Sequence, residues 1–430
     1  MENYTTIDSK ILEELKKFIA DITKGLGKVD THFLSDIITG MITRGSVILS
    51  EIARSTKQNC NIKKCVDRFE SRLDLYSNIE SIVDENYQKI ATSLINPRKL
   101  YFVDGGDITK DENTKFENLG YVLDGSKEHT LSRGYKIFEI DTIDNSNQPL
   151  SLISDLSSSS TESINDANKE KNDNTTWIKK IEKVANLYGK GTFILDRGFD
   201  GGIMMEKILN TGSNFIIRAK CLDRIVYLNG KKTKIKEIAK SHKGKYSFQT
   251  KIDGKITNLK VSSFNIKIKS ADAKTLSNNL FTLVIIKGYG DSDAYMALIT
   301  SRKVSSKDDV LQVVKDYILR WNIEDNFRFK KQQYGLEKIK VRKYKRIQIL
   351  SKMLSMFMAF NNILNMSPLG KNVRDRVIQI REKINMWVLR VANGIIKTIT
   401  FYSNEIVKKL YPKRTKRRRD LWTVMGVAFR

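Results

Sequence analysis

Tyr317-Ile318-Leu319-Arg320-Trp321-Asn322-Ile323-Glu324-Asp325-Asn326-Phe327-Arg328-Phe329-Lys330-Lys331 is the stretch on which the reading of this chain turns. It lies in a run from Lys307 to Lys338 that has no proline and a single glycine, Gly335, near its end. The run predicts one long helix. At about 100° per residue, Tyr317, Arg320, Glu324 and Lys331 point at roughly 0°, −60°, −20° and −40°, so they share one stripe. A phenol, a guanidinium, a carboxylate and an ammonium in a row suit a phosphate backbone, with a metal-binding acid among the donors. Trp321, Ile323, Phe327 and Phe329 lie off the stripe and are placed to anchor the helix to a core. Alone, the pattern equally describes a solvated helix face with neighbouring charges one turn apart. The rest of the chain has to decide.

Composition narrows the partners. Among 430 residues, 76 are Lys or Arg and 49 are Asp or Glu, a formal charge of +27. Such an excess calls for an acidic partner, nucleic acid or an anionic membrane. No apolar run approaches the ~18 residues of a membrane span, and Met1-Glu2-Asn3-Tyr4-Thr5 resembles no signal peptide. The expectation is therefore nucleic acid in the cytoplasm, with no membrane. Three cysteines argue against a disulfide framework. Cys60 and Cys65 have no second pair or nearby histidine with which to hold zinc. His32, His129 and His242 are scattered singly.

Along the chain, residues 1–95 read as helices, including a basic amphipathic one with Lys63, Lys64, Arg68 and Arg72, compatible with a DNA-binding helical unit. After Pro97 the period changes. Leu100-Tyr101-Phe102-Val103-Asp104 is a short apolar strand ending in an acid, followed by Gly105-Gly106. Strands are predicted over 118–123 and 135–140, then a polar loop over 144–174 that includes four serines at 157–160. A helix over 175–188 leads to Thr192-Phe193-Ile194-Leu195-Asp196, a second apolar strand that stops on an acid, followed by Arg197-Gly198. A helix over 203–209 and a strand over 214–219 come next. Residues 220–294 read as an antiparallel β segment, and 296–300 as a last strand. A very apolar helix over 347–364 precedes a basic helical tail that contains Lys413-Arg414-Thr415-Lys416-Arg417-Arg418-Arg419.

Asp104 and Asp196 thus end two strands of an α/β sheet, where residues at neighbouring carboxyl ends meet in one crevice, and Glu324 lies across from them. Three carboxylates are the hard oxygen ligands Mg²⁺ prefers. Two ions so held would activate an attacking oxygen and stabilise the leaving one in a phosphoryl transfer.

The order of elements is similar to the ribonuclease-H-like fold: an α/β mixed sheet with a β-rich insertion, flanked by helical N- and C-terminal regions. The motifs resemble DDE transposases of the insertion-sequence-four family, whose signature Y-x2-R-x3-E-x6-K is matched by Tyr317, Arg320, Glu324 and Lys331. Val103-Asp104-Gly105-Gly106-Asp107-Ile108 resembles the family's first-aspartate segment and Leu195-Asp196-Arg197-Gly198-Phe199-Asp200 its second. The resemblance implies that Asp104, Asp196 and Glu324 hold two Mg²⁺ ions, with Mn²⁺ as a substitute. It also implies that Tyr317, Arg320 and Lys331 contact DNA phosphates near the cleaved end. Asp107 and Asp200 are nearby acids expected to cap loops or support the site, and Arg197 a partner for a carboxylate.

The implied protein is a DNA transposase that cuts the ends of its own element and joins them to target DNA. It would work as a homodimer on paired ends, in a prokaryotic, nucleoid-associated setting. The corresponding organisation is a helical DNA-binding domain over 1–95 and a catalytic domain in two parts, 96–219 and 295–370. Between those parts lies the β insertion over 220–294, and a basic helical region over 371–430 follows. Two rival readings are a ribonuclease-H-like nuclease or resolvase without strand transfer and a catalytically silent DNA-binding derivative. One departure concerns hairpin-forming members, which use an insertion aromatic, notably tryptophan, to hold a flipped base. Trp177, Trp321, Trp387 and Trp422 all lie outside the insertion, which offers Tyr227, Tyr246, Phe248, Phe264 and Tyr289.

Overall fold

A run of apolar residues on β1 (Leu100–Thr109) places that strand inside a twelve-stranded mixed sheet, third from one end of its strand order. The structure, a computed structural model, describes residues 4–55, 61–111, 115–124, 130–160, 173–252, 255–269, 275–288 and 295–368. The expected basic tail, Lys413 to Arg419 included, lies outside them, as do Trp387, Trp422, Tyr289, His129 and Cys60.

On one side β1 pairs antiparallel with β3 (Thr130–Ile143), which also pairs with β2 (Gly120–Asp124) and β4 (Pro149–Ser157). On the other side β1 runs parallel to β5 (Thr192–Leu195), and β5 parallel to β6 (Asn214–Arg218). This meander followed by parallel strands is consistent with a ribonuclease-H-like transposase fold. Strand β6 then pairs antiparallel with β12 (Tyr295–Thr300), which carries the sheet into the inserted segment. That segment contains β7 (Ile225–Leu228), β8 (Lys231–Lys234), β9 (Tyr246–Ile252), β10 (Lys255–Lys267) and β11 (Phe281–Lys287). The insertion is therefore an extension of the same sheet.

Eleven α-helices are present among the described residues. The first five, α1 (Tyr4–Ile22), α2 (Lys28–Arg44), α3 (Leu49–Ala53), α4 (Ile62–Asp74) and α5 (Glu80–Leu94), form the expected helical N-terminal region. Asn61 starts α4 by accepting the Lys64 amide at 2.9 Å. On the basic face of α4, Arg68 and Arg72 pair with Asp36 and Asp30 of α2, while Lys63 and Lys64 are exposed. The sheet is flanked by α6 (Asp173–Tyr188) and α7 (Gly202–Asn210), and the insertion holds a short helix not foreseen from sequence, α8 (Ile235–Ser241).

Helix α11 (Tyr344–Met366) corrects the expectation that no apolar run approaches a span: it is long and apolar enough to cross a membrane. Its most apolar window is 83% buried inside the fold, so its side chains are spent on the core. It packs against β4 and the N-terminal helices, with Phe360 beside Phe18 at 5.6 Å between ring centroids. Lys352 on α11 also reaches Glu80 and Asp84 of α5.

The polar loop expected over 144–174 is corrected as well, because its first part is β4, nearly all buried. A tight turn feeds it: Asp144 accepts the amides of Ser146 at 2.7 Å and Gln148 at 2.9 Å, with Asn147 at φ 58°. The serines after β4 are tied down too, Ser159 exchanging bonds of 2.8 Å with the Tyr121 backbone. Cys65 is buried and Cys221 exposed, and neither is in a disulfide.

Candidate functional site

Parallel pairing of β1 with β5 runs from Leu100 opposite Thr192 to Val103 opposite Leu195. Asp104 and Asp196 are therefore the next residues on neighbouring strands, which lie about 4.8 Å apart. Each strand end is fixed by buried apolar side chains; Leu100 to Val103 and Phe193 to Leu195 are at most 1% exposed. The acid–glycine sequence then shapes each acid locally. Asp104 accepts the Gly105 amide at 2.9 Å, and Asp196 accepts the Gly198 amide at 2.7 Å, capping a 3-10 turn from Arg197 to Phe199.

Glu324 reaches these acids through Arg320. The Arg320 guanidinium donates Nη1 to Asp104 Oδ2 at 2.7 Å and Nη2 to Glu324 Oε1 at 2.8 Å. Its side chain is 8% exposed, that of Asp104 16% and that of Glu324 51%. Burial pushes the Asp104 carboxyl up to about 7. The Arg320 charge opposes that rise, whereas Asp196 and Glu324 add to it. Asp104 and Arg320 thus both sense the charges of Asp196 and Glu324.

The segment that carries Arg320 and Glu324 departs from the expected single helix. Helix α9 (Lys307–Ile318), begun by a reciprocal cap between Ser306 and Asp309, ends before Leu319. The chain tightens there, the Arg320 amide bonding Tyr317 O at 3.1 Å, and restarts as α10 (Trp321–Arg328). It then widens into a π-helical turn from Phe329 to Gln333, closed by the Tyr334 amide on Phe329 O at 3.3 Å. Tyr317, Arg320, Glu324 and Lys331 consequently do not lie on one straight stripe.

Tyr317 is 2% exposed, its ring 5.8 Å from the Arg320 guanidinium carbon. Burial raises the pKa of its hydroxyl, with Arg320 acting against the rise. That hydroxyl and Arg320 Nε are both buried without a hydrogen-bond partner. Lys331 turns to Asp107 at 3.6 Å and Glu337 at 3.5 Å.

Of the neighbouring acids, Asp107 faces Lys331, and Asp200 is turned away: it pairs with Arg224 at 2.7 Å and accepts the Lys220 amide at 2.7 Å. Asp200 therefore fastens the start of the insertion. Arg197 is exposed. Trp177 is core, packed edge-on to Phe138 and Phe199. Of the insertion aromatics, Phe264 stacks edge-on with His242, 4.5 Å between centroids.

The sequence reading missed how α10 is seated. Phe327 lies on Gly106 of β1, where an added Cβ would meet the ring at 2.9 Å, so glycine permits this approach. Asn326 and Lys330, one turn apart, face Asp141 and Glu139, two apart on β3. The signal was available: two acids, Glu139 and Asp141, interleaved with Phe138, Ile140 and Ile143 call for partners.

Among the described residues no three acidic, histidine or cysteine side chains stand close enough to hold one ion. The donor chemistry nonetheless fits a hard divalent cation: Asp104 and Asp196 follow paired positions on adjacent strands, and a positive charge already lies between Asp104 and Glu324. Residues 150–361, just under half of the chain, match the family model of the transposase DDE domain. The match takes in Asp196, Tyr317, Arg320, Glu324 and Lys331 and begins after Asp104. No curated protein matches the chain. By that family match the chain is similar to transposase DDE domains, which supports a function of the transposase or nuclease type.

Proposed function

We propose that the chain is a DNA transposase that binds the ends of its element, cuts them and joins them to target DNA. The observation that carries this reading is the meeting of Asp104 and Asp196 at adjacent strand ends with Glu324, bridged by Arg320. Asp104, Asp196 and Glu324 would hold two Mg²⁺ ions, or Mn²⁺ in their place. Bound there, the ions supply Lewis-acid stabilisation of the attacking and leaving oxygens of an in-line displacement.

The remaining chemistry belongs to the chain. Asp104 and Asp196 are preset by their strands, whereas Glu324 joins them when Arg320 exchanges a carboxylate for a DNA phosphate. The planar guanidinium suits either partner in a two-pronged contact. Tyr317 and Arg320 Nε, buried and unpaired in the free chain, would turn their donors to the same phosphate when Arg320 makes that exchange, and Lys331 would add a second cation. Burial of Asp104 keeps water from screening these charges.

The described N-terminal helices (4–94) with the basic tail (371–430) would contribute end binding, and two copies would act on paired ends. The test is an assay with the full chain and a supercoiled plasmid that carries the element's inverted repeats. Mg²⁺-dependent release of the ends followed by their insertion into a second plasmid supports the reading. Nicking without joining would assign a nuclease or resolvase instead, and binding without cleavage a silent derivative.

A further inference from the structure

A buried polar cluster lies behind the candidate site, between β3, β4, the π-helical turn and α11. Lys330, 1% exposed, forms an ion pair with Glu139, also 1% exposed. Its ammonium donates to Ser355 Oγ of α11 at 2.7 Å and to Ser154 Oγ of β4 at 3.4 Å. Glu139 also accepts from Ser151 Oγ at 2.5 Å and Ser154 Oγ at 3.0 Å. One turn earlier, Asn326 Nδ2 donates to Asp141 Oδ2 at 2.5 Å, and both side chains are at most 2% exposed. Asp141 Oδ1 and Asn326 Oδ1 have no partner. Burial, then the neighbouring Glu139, pushes Asp141 well above the ordinary carboxylate range.

An apolar contact would seat a helix against a sheet more cheaply, because buried ionic groups give up their hydration. Polar groups at such positions fix register, since a helix that slides or turns leaves them unpaired. Both contacts fall on the short segment between Glu324 and Lys331, two residues after the one and one residue before the other. Within the π turn Lys330 enters the core while Lys331 faces Asp107.

We infer that Asn326 and Lys330, docked on Asp141 and Glu139, are positioning residues that set the reach of Glu324 toward Asp104 and Asp196. The cluster holds α10 and the π turn in one register against β3. The inference rests on the proposed transposase reading for its effect on cleavage, whereas its effect on the segment itself does not depend on that reading.

The test uses the full chain and two variants. Glu139→Gln/Lys330→Met removes both charges together, so no lone ion is left buried, and Asn326→Ala removes the other contact. Both are expected to melt cooperatively and bind plasmid DNA as the parent does. Amide exchange over 321–333 is expected to speed up about tenfold, with β1 and β5 unchanged. The Mg²⁺ concentration for half-maximal cleavage is expected to rise about tenfold, the scale of losing a group that supports a ligand. The DNA concentration for half-maximal rate is expected to stay put. Parental exchange over 321–333 in both variants overturns the inference, as does a parental Mg²⁺ requirement in variants whose segment has loosened. If the parent itself cleaves no DNA, the function reading fails, and the exchange measurement alone decides whether the cluster holds the segment.

Discussion

The two halves of the candidate site are built differently. Asp104 and Asp196 stand on strand ends whose preceding side chains are sealed in the sheet core, and each is further tied to a glycine amide. Glu324 stands on a two-turn helix between a break at Leu319–Arg320 and a π turn, with half of its side chain exposed. One half is set by the sheet, and the other by a few long-range contacts. Such a division suits a site that must admit a bulky substrate and then close on it.

If the sheet half is the fixed frame, removing either of its acids should have the largest effect. Asp104→Ala or Asp196→Ala is expected to cut cleavage by about 10³-fold or more. A lost ion ligand forfeits several kcal/mol of charge stabilisation, at about 1.4 kcal/mol per tenfold. Filter binding to the element's ends should be unchanged, because neither acid donates to phosphate. Normal cleavage by either variant would remove the sheet half from the site.

The helix half should tolerate more. Glu324→Gln keeps shape and loses charge, and is expected to cost about 10²-fold in single-turnover cleavage, the scale of one preorganised electrostatic group. Its DNA affinity should equal or exceed the parent's, since a repulsive charge near the phosphates is gone. Should Glu324→Gln cleave like the parent, the third ligand is another residue.

Arg320 joins the halves, so replacing it tests the join. Arg320→Lys keeps the charge but loses the fork that bonds Asp104 and Glu324 together. Loss of one charge-assisted bond, about 1.5–3 kcal/mol, predicts a 10- to 100-fold fall in cleavage. Gly106→Ala probes the other join, the Phe327 ring on β1. Overpacking there is expected to lower unfolding stability in urea by about 1–3 kcal/mol. A parental midpoint would show that α10 is not held by that contact.

The contrast between the halves also explains what was legible in the sequence. Leu100 to Asp104 and Thr192 to Asp196 announce themselves locally, because an unbroken apolar run that stops on an acid and is followed by a glycine reads as a buried strand end. The break at Leu319–Arg320 left no such mark. Spacings of three and four survive a one-turn interruption, and no proline or glycine sits there. What bends the chain is tertiary: Arg320 reaches Asp104 216 residues away, Asn326 reaches Asp141 185 away, and Lys330 reaches Glu139 191 away. Strand β4 was hidden for the same reason. Ser151 and Ser154 look like loop residues until Glu139 is placed beside them.

The smallest effect is expected at Lys331, which marks the outer edge of the helix half. Its ammonium is 3.6 Å from Asp107 and 3.5 Å from Glu337, distances at which the attraction is weak and water competes. It is thus free to move to a phosphate when DNA arrives, and it contributes charge without geometry. Lys331→Ala is therefore expected to weaken binding to all DNA sequences alike and to lower the salt slope by about one phosphate contact. Cleavage by the bound complex should fall little, because the acids and Arg320 keep their places. The measurement is a set of binding isotherms at several salt concentrations, with single-turnover cleavage at saturating DNA. A slope equal to the parent's would mean that Lys331 stays with Asp107 and Glu337 in the complex. It would then belong to the scaffold that holds the π turn, and the helix half would meet DNA through Arg320 and Tyr317 instead.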